Sequence, residues 1–294
     1  MRWIMAATFV VAWSSGFVGA SFADQAAAGV WGLLAWRYVA TAAVLLVVTL
    51  VTSSTRRAVV DVGRGDLLRQ VALSLLSHVV FLGGVFLAAH HGVDAGLSAL
   101  VCALQPLLVT AVGRLVFSDP VSNRQWAGLG VALAGVALSV GGISAAGVAS
   151  AGLVVASLLG LSTAALLERA WQPGMPVMLS LTIQVCMAAG VFVVLALADG
   201  SLRVPVSGQL LLALLWLVLL SGLGGYATFT WCLRHVGATA TSTLLYLTAP
   251  VTMLWAWAMF GQRPSVIQWA GLLVVLGGVA CATTRIDRSA AEPT

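Results

Sequence analysis

The sequence predicts an all-α integral membrane protein whose ten transmembrane helices form two inverted five-helix repeats. Three observations predict it. The chain is 61% hydrophobic and 8% charged, whereas soluble domains carry roughly 25% charged residues. Its mean hydropathy is +1.05, so it has too little polar surface to cover a water-soluble globule. Apolar runs of about 20 residues, the length that spans hydrocarbon, follow one another along nearly the whole chain. Finally, one stretch occurs twice, from His91 to Ala137 and from His235 to Ala280.

The hydrophobic segments are 3–22, 31–51, 67–88, 95–117, 125–142, 148–168, 176–198, 208–231, 239–260 and 267–283. Segment 1 has the basic start and small residues of a secretory signal, but the repeat needs it as the counterpart of segment 6, so it is expected to be retained. The connections are short, which leaves no room for a soluble domain. The expected units are 1–145, 146–284 and a short cytoplasmic tail, 285–294.

In the repeat, Pro106 aligns with Pro250 and Pro120 with Pro264. After one gap, Gln125-Trp126-Ala127-Gly128-Leu129 aligns with Gln268-Trp269-Ala270-Gly271-Leu272, and ten of thirteen positions match from Gln125 to Ala137. Five helices per half is an odd number, so the second half enters the membrane from the opposite side. That is the inverted-repeat plan of many alternating-access carriers.

The net charge of +5 comes from arginine alone, with no lysine. The arginines lie between apolar runs, which speaks for topology rather than nucleic-acid binding. With the N-terminus inside, eleven arginines fall inside, Arg203 and Arg263 outside, and Arg37 within segment 2. Both termini are therefore expected in the cytoplasm. Cys102, Cys186, Cys232 and Cys281 lie in apolar runs without CxxC spacing, as free buried thiols do. A metal site from His90, His91 and Asp94 is disfavoured because adjacent histidines point apart, and no cofactor is expected.

The pattern resembles the EamA-type branch of the drug/metabolite transporter superfamily. The features that carry it are Trp13-Ser14-Ser15 in the first helix, Arg37-Tyr38 early in the second, Pro106 and Pro250 in the fourth helix of each half, and the Gln-Trp-Ala-Gly entries to the fifth. The resemblance covers essentially the whole chain. It implies a bacterial inner-membrane exporter of amino acids or related metabolites, with a substrate cavity at mid-membrane between the halves. The family often has Gly-Glu-Arg before the fifth helix; here Ser118-Asp119-Pro120 and Gly261-Gln262-Arg263 stand there. Half-size relatives work as dimers, so a two-repeat chain can work as a monomer.

Arg37 lies about 9 Å into segment 2 at 1.5 Å per residue. Two readings stand: a snorkelled arginine on backbone carbonyls, or a fixed cation at the outer mouth of the cavity, suited to a substrate carboxylate. His78, near the middle of segment 3, is either a neutral ring satisfied by a neighbouring helix or a proton carrier or substrate contact. No Asp or Glu occupies the middle of a segment, which disfavours exchange of protons for lipophilic cations. Glu168, at the inner end of segment 6, pairs with Arg169 or faces water.

The candidate solute-binding set is Trp13, Ser14, Ser15, Arg37, His78, Gln105, Ser162, Tyr226, Trp231 and Tyr246, each of which can also be ordinary packing. An uncharged, aromatic-edged cavity suits a neutral or zwitterionic solute. Pro106 and Pro250 leave carbonyls free at Cys102 and Tyr246, so both helices are expected to kink, either as hinges that flex in gating or as static bends. Trp3, Trp31, Trp126, Trp171 and Trp269 read as interfacial anchors. Gly83-Gly84, Gly141-Gly142, Gly224-Gly225, Gly277-Gly278 and Gly130-xxx-Ala134 allow close helix contact.

The function expected is therefore secondary export of amino acids or related metabolites, with a facilitator for another neutral metabolite or drug as the alternative. Membrane-embedded enzyme chemistry would need a catalytic cluster at one depth, and the sequence offers none. A receptor or scaffold would normally carry a soluble domain or a long tail. The partners expected are a small-molecule substrate and the lipid bilayer, with no nucleic acid.

Overall fold

The computed structural model describes residues 2–25, 29–118, 121–141, 145–171, 174–203 and 207–283. Asp119, Pro120, Gly142, Arg285, Arg288 and the tail lie outside the described residues. All ten apolar segments are helical: α1 (Arg2–Gln25), α2 (Val30–Val51), α3 (Arg64–His90), α4 (Ala95–Phe117), α5 (Asn123–Gly141), α6 (Ala145–Trp171), α7 (Val177–Ala198), α8 (Gly208–His235), α9 (Ala238–Tyr246 and Thr248–Phe260) and α10 (Val266–Thr283). A single short helix, Ser53–Ala58, joins α2 to α3. No strand occurs among the described residues.

Eight of these helices are long and apolar enough to cross a membrane, fewer than the ten expected. The two that fall short are α5 and α10, the same helix in each half. α5 begins with polar Asn123, Arg124 and Gln125, and the apolar part of α10 is only Val266–Ala282.

The main helix pairings join one half to the other: α5 with α10, α2 with α7, α4 with α9, α1 with α8 and α3 with α6. Exchanging the halves maps the first three pairs onto themselves and the last two onto each other. That is what a two-fold axis between the halves requires.

The α5–α10 seam fixes the sense of the axis. A Cβ on Gly128 would lie 2.5 Å from the Gly278 carbonyl, and one on Gly135 would lie 2.7 Å from that of Gly271. The pairing runs antiparallel, and the two contacts exchange in the register that aligns Gln125 with Gln268. Only glycine lets the backbones come this close. The seam uses Gly128, Gly135, Gly271 and Gly278, whereas Gly130 and Gly277 face open space. The expected Gly130-xxx-Ala134 contact is thus displaced to the neighbouring face of the helix.

α2 and α7 also run antiparallel. Thr49 meets Thr182 at one end, Oγ1 to Oγ1 2.8 Å, and Trp31 stacks on Phe192 at the other. Trp31 is partly buried and packs on the core, and a Cβ on Gly83 would lie 3.3 Å from its ring. Trp3 and Trp126 are exposed, as anchors would be.

Two irregularities recur in both halves. α4 breaks between Cys102 and Gln105, and α9 breaks at Leu247. Proline removes the amide donor and clashes with the preceding turn, and Pro106 and Pro250 each fall in the first turn after the break. The left-handed caps Ser118 and Gly261 end these helices at equivalent places. Matched on those caps, the two prolines stand one residue apart rather than aligned. The second irregularity is π-helical: Leu75–Val80 within α3 and Trp216–Gly224 within α8. π segments inside α-helices concentrate at functional sites, and here they occupy the same helix of each half.

Candidate solute site at the seam of the two halves

Arg37 and Tyr38 are neighbours on α2, and each reaches one of the π segments. Arg37 Nη2 donates to Ser221 Oγ in α8 at 3.4 Å. The Tyr38 hydroxyl and His78 Nδ1 in α3 are 2.9 Å apart. One dipeptide thus ties the first half to itself and to the second half at about the same level.

Arg37 is 5% exposed. Its guanidinium carbon lies 5.8 Å from the Tyr38 ring centre and 5.6 Å from that of Phe86, within cation–π range. Nη1 is buried and has no hydrogen-bond partner. Snorkelling would carry the head group out to the membrane surface; it turns inward instead, because α8 presents a hydroxyl there. Tyr38 is buried too, its ring 5.0 Å from that of Phe192 on α7. His78 is partly exposed.

Below this level an aromatic triangle joins α1 and α8: Trp13 lies 5.6 Å from Phe9 and 5.4 Å from Phe229. Ser14 and Ser15 are fully buried. Ser14 Oγ donates to the Thr248 carbonyl at 3.2 Å, beside the α9 break, and Ser15 Oγ donates to the Ala12 carbonyl at 2.6 Å. Trp216 Nε1 donates to the Ser15 carbonyl at 2.9 Å. Ser162 is buried with its hydroxyl unpartnered. Gln105 and Tyr226 are partly exposed, while Tyr246 is buried in the main core. Trp231 packs with Trp13 and Phe229 against the small core of Phe9, Val10, Cys232 and Leu245, and it stacks on His235 at 4.5 Å near the end of α8. The structure therefore brings Arg37 and His78 together around Tyr38, and places Trp13 in a separate aromatic group.

Two polar clusters lie at opposite ends of the bundle. In one, Gln70 Oε1 accepts from Ser180 Oγ and Gln184 Nε2, both at 2.7 Å, while Ser74 Oγ donates to the Gln184 carbonyl at 2.7 Å. In the other, Gln262 Oε1 accepts from the Ala95 amide at 3.3 Å, its Nε2 donates to Ser21 Oγ at 3.5 Å, and Gln268 Nε2 donates to Asp94 Oδ2 at 3.4 Å. Nearby, His90 pairs with Asp24 at 2.8 Å. His90 and Asp94 thus have different partners, and no group able to hold a metal is found among the described residues. The four cysteines are free. Glu168 is exposed, and the Arg169 guanidinium lies 4.4 Å over the Phe117 ring.

Sequence reasoning missed Ser221, Phe86 and Gln262. The signal for Ser221 was a lone hydroxyl that ends the apolar run Trp216–Leu220 and precedes Gly222, Gly224 and Gly225. Gln262 was visible only as a departure from the Gly-Glu-Arg pattern.

With this two-fold geometry established, the family comparison is decisive. The profile of the EamA-like transporter family matches residues 2–141 and again residues 148–284. The chain belongs to the EamA-like transporter family. It is a multi-pass membrane protein of a transporter family, built from two copies of the family's unit. No curated protein matches it. A solved structure described as "Crystal structure of protein" is 18% identical over 95% of each chain, with a TM-score of 0.66, and that likeness shows a shared fold. The antiparallel glycine seam of this EamA-like chain lies between the last helices of its two family units.

Proposed function

We propose that this EamA-like protein is a secondary transporter that exports amino acids or related small metabolites by alternating access. The carrying observation is the two-fold pairing of helices across the halves, with Arg37, Tyr38, His78 and Ser221 gathered at the pairing. Two equivalent, oppositely directed halves give two equivalent conformations, one open to each side. In this reading α5 and α10 also cross the bilayer, because an odd number of crossings per half is what inverts the second unit. Both termini are then cytoplasmic, in a bacterial inner membrane, and the chain acts as a monomer.

The solute sits between the π segments, near Arg37 and His78, with Trp13 and Tyr226 at the aromatic edge. Ser14, Ser15, Gln105, Ser162, Trp231 and Tyr246 shape the surrounding helices. The breaks at Pro106 and Pro250 act as hinges. The test is flux of a labelled amino-acid panel in proteoliposomes, with and without a proton gradient. Uptake that saturates and rises with the gradient is the expected result. Saturable uptake indifferent to the gradient makes the protein a facilitator, and no flux of any panel member ends the amino-acid reading.

A further inference from the structure

We infer that Arg37 and Ser221 form a carboxylate clamp across the seam between the halves, so that the transported solute must bear a carboxylate. The inference deepens the transport reading and rests on it for the word "transported".

The first ground is an unmet charge. Arg37 is 5% exposed and its Nη1 has no partner. A buried cation without a counter-charge is costly, so a folded chain that keeps one has a use for it or a ligand to neutralise it. No acidic side chain of the described residues supplies the counter-charge. Asp24 is held by His90, Asp66 by Arg69, Asp94 by Gln268 and Asp199 by the Ser201 amide. Asp61 and Glu168 are exposed.

The second ground is geometry. Tyr38 and Phe86 place rings near the guanidinium, and no protein group bonds Nη1 on the edge it shares with Nη2. That edge matches the two oxygens of a carboxylate. Nη2 already holds Ser221 Oγ at a long 3.4 Å. The hydroxyl accepts this bond and still has its own proton to donate to a second anionic oxygen.

The third ground is position. Ser221 belongs to the π segment of α8 and Arg37 to α2, so the anion would touch both halves. Ser221 faces α1, where a Cβ on Gly16 would lie 2.9 Å from its oxygen. Ser221 itself is partly exposed. Nη1 is buried in this conformation, so a carboxylate would reach it in a more open one, and it would displace no protein acid there.

The experiment has two arms on the full chain. In proteoliposomes, each transported amino acid is compared with its carboxamide in the wild type, Arg37→Lys, Arg37→Gln and Ser221→Ala. The wild type is expected to favour the acid by about tenfold or more, as a lost charge-assisted bond implies. Arg37→Gln should bring the ratio towards one, Arg37→Lys should keep part of it, and Ser221→Ala should raise the acid's KM more than it lowers kcat. In detergent, intrinsic tryptophan fluorescence is titrated with sodium propionate, propionamide and sodium chloride. A saturable response to propionate alone, lost in Arg37→Gln and weakened in Arg37→Lys, supports the clamp. An equal response to chloride or propionamide overturns it, as does a response unchanged in Arg37→Gln. If the wild type moves no amino acid, the transport reading fails while the titration still decides the clamp. Should Arg37→Gln not insert, Arg37→Lys and Ser221→Ala decide it: wild-type ratios and titrations in both overturn it.

Discussion

The Tyr38 hydroxyl and His78 Nδ1 stand 2.9 Å apart, and this bond joins the regular helix α2 to the π segment of α3. Removing either partner leaves the other without it inside the bundle. A single neutral bond contributes about 1 kcal/mol net. Tyr38→Phe and His78→Gln should each lower thermal stability in detergent by that order, and the double variant should cost little more than one of them. Additive losses in the double-mutant cycle would show that the bond couples nothing.

The glycine seam makes a sharper prediction, because neighbouring glycines on the same helices behave differently. A Cβ at Gly278 would lie 2.6 Å from the Gly128 carbonyl, while one at Gly130 or Gly277 meets nothing within 4 Å. Gly278→Ala and Gly135→Ala should each destabilise by about 1–3 kcal/mol, the cost of overpacking a close contact. Gly130→Ala and Gly277→Ala should stay within about 0.5 kcal/mol of the wild type. Thermal unfolding followed by tryptophan fluorescence reads all four.

This contrast also shows what the sequence made legible. Helices, their order and the two-fold plan follow from apolar runs and from the match of Gln125–Ala137 with Gln268–Ala280, since burying a repeat twice needs the same residues twice. Which glycines meet does not follow, because two residues of helical phase decide between Gly128 and Gly130. Arg37 stood out as a charge inside an apolar run. Its partner did not, because Ser221 lies 184 positions away in a π segment, whose extra residue per turn rotates the face that a regular helix would present. Trp31 stood out as the residue that opens a segment; its stacking on Phe192 did not.

Topology can be tested directly. The inverted reading places Arg124 and Arg263 on opposite faces, although each precedes the fifth helix of its half. In a background with Cys102, Cys186, Cys232 and Cys281 replaced, Arg124→Cys should react with an impermeant thiol reagent only after the cells are opened. Arg263→Cys should react in intact cells. Labelling of both from one side would put the halves in parallel and remove the basis for alternating access.

The threonine pair tests whether α2 and α7 separate during turnover. Thr49 and Thr182 are buried and their hydroxyls are 2.8 Å apart, close enough for a pair of cysteines to approach disulfide geometry. Beside them the Gln70–Ser180–Gln184 cluster holds α3 to the same end of α7. If the halves rock as units, this end of the α2–α7 contact must open in one of the two states. The variant carrying Thr49→Cys and Thr182→Cys should then cross-link on mild oxidation, lose most of its flux, and regain it with reductant. Each single variant should be insensitive to both treatments. Full flux in the cross-linked protein would mean that α2 and α7 move together, and the moving surface would then have to be the α1–α8 and α3–α6 pairings, where the π segments lie.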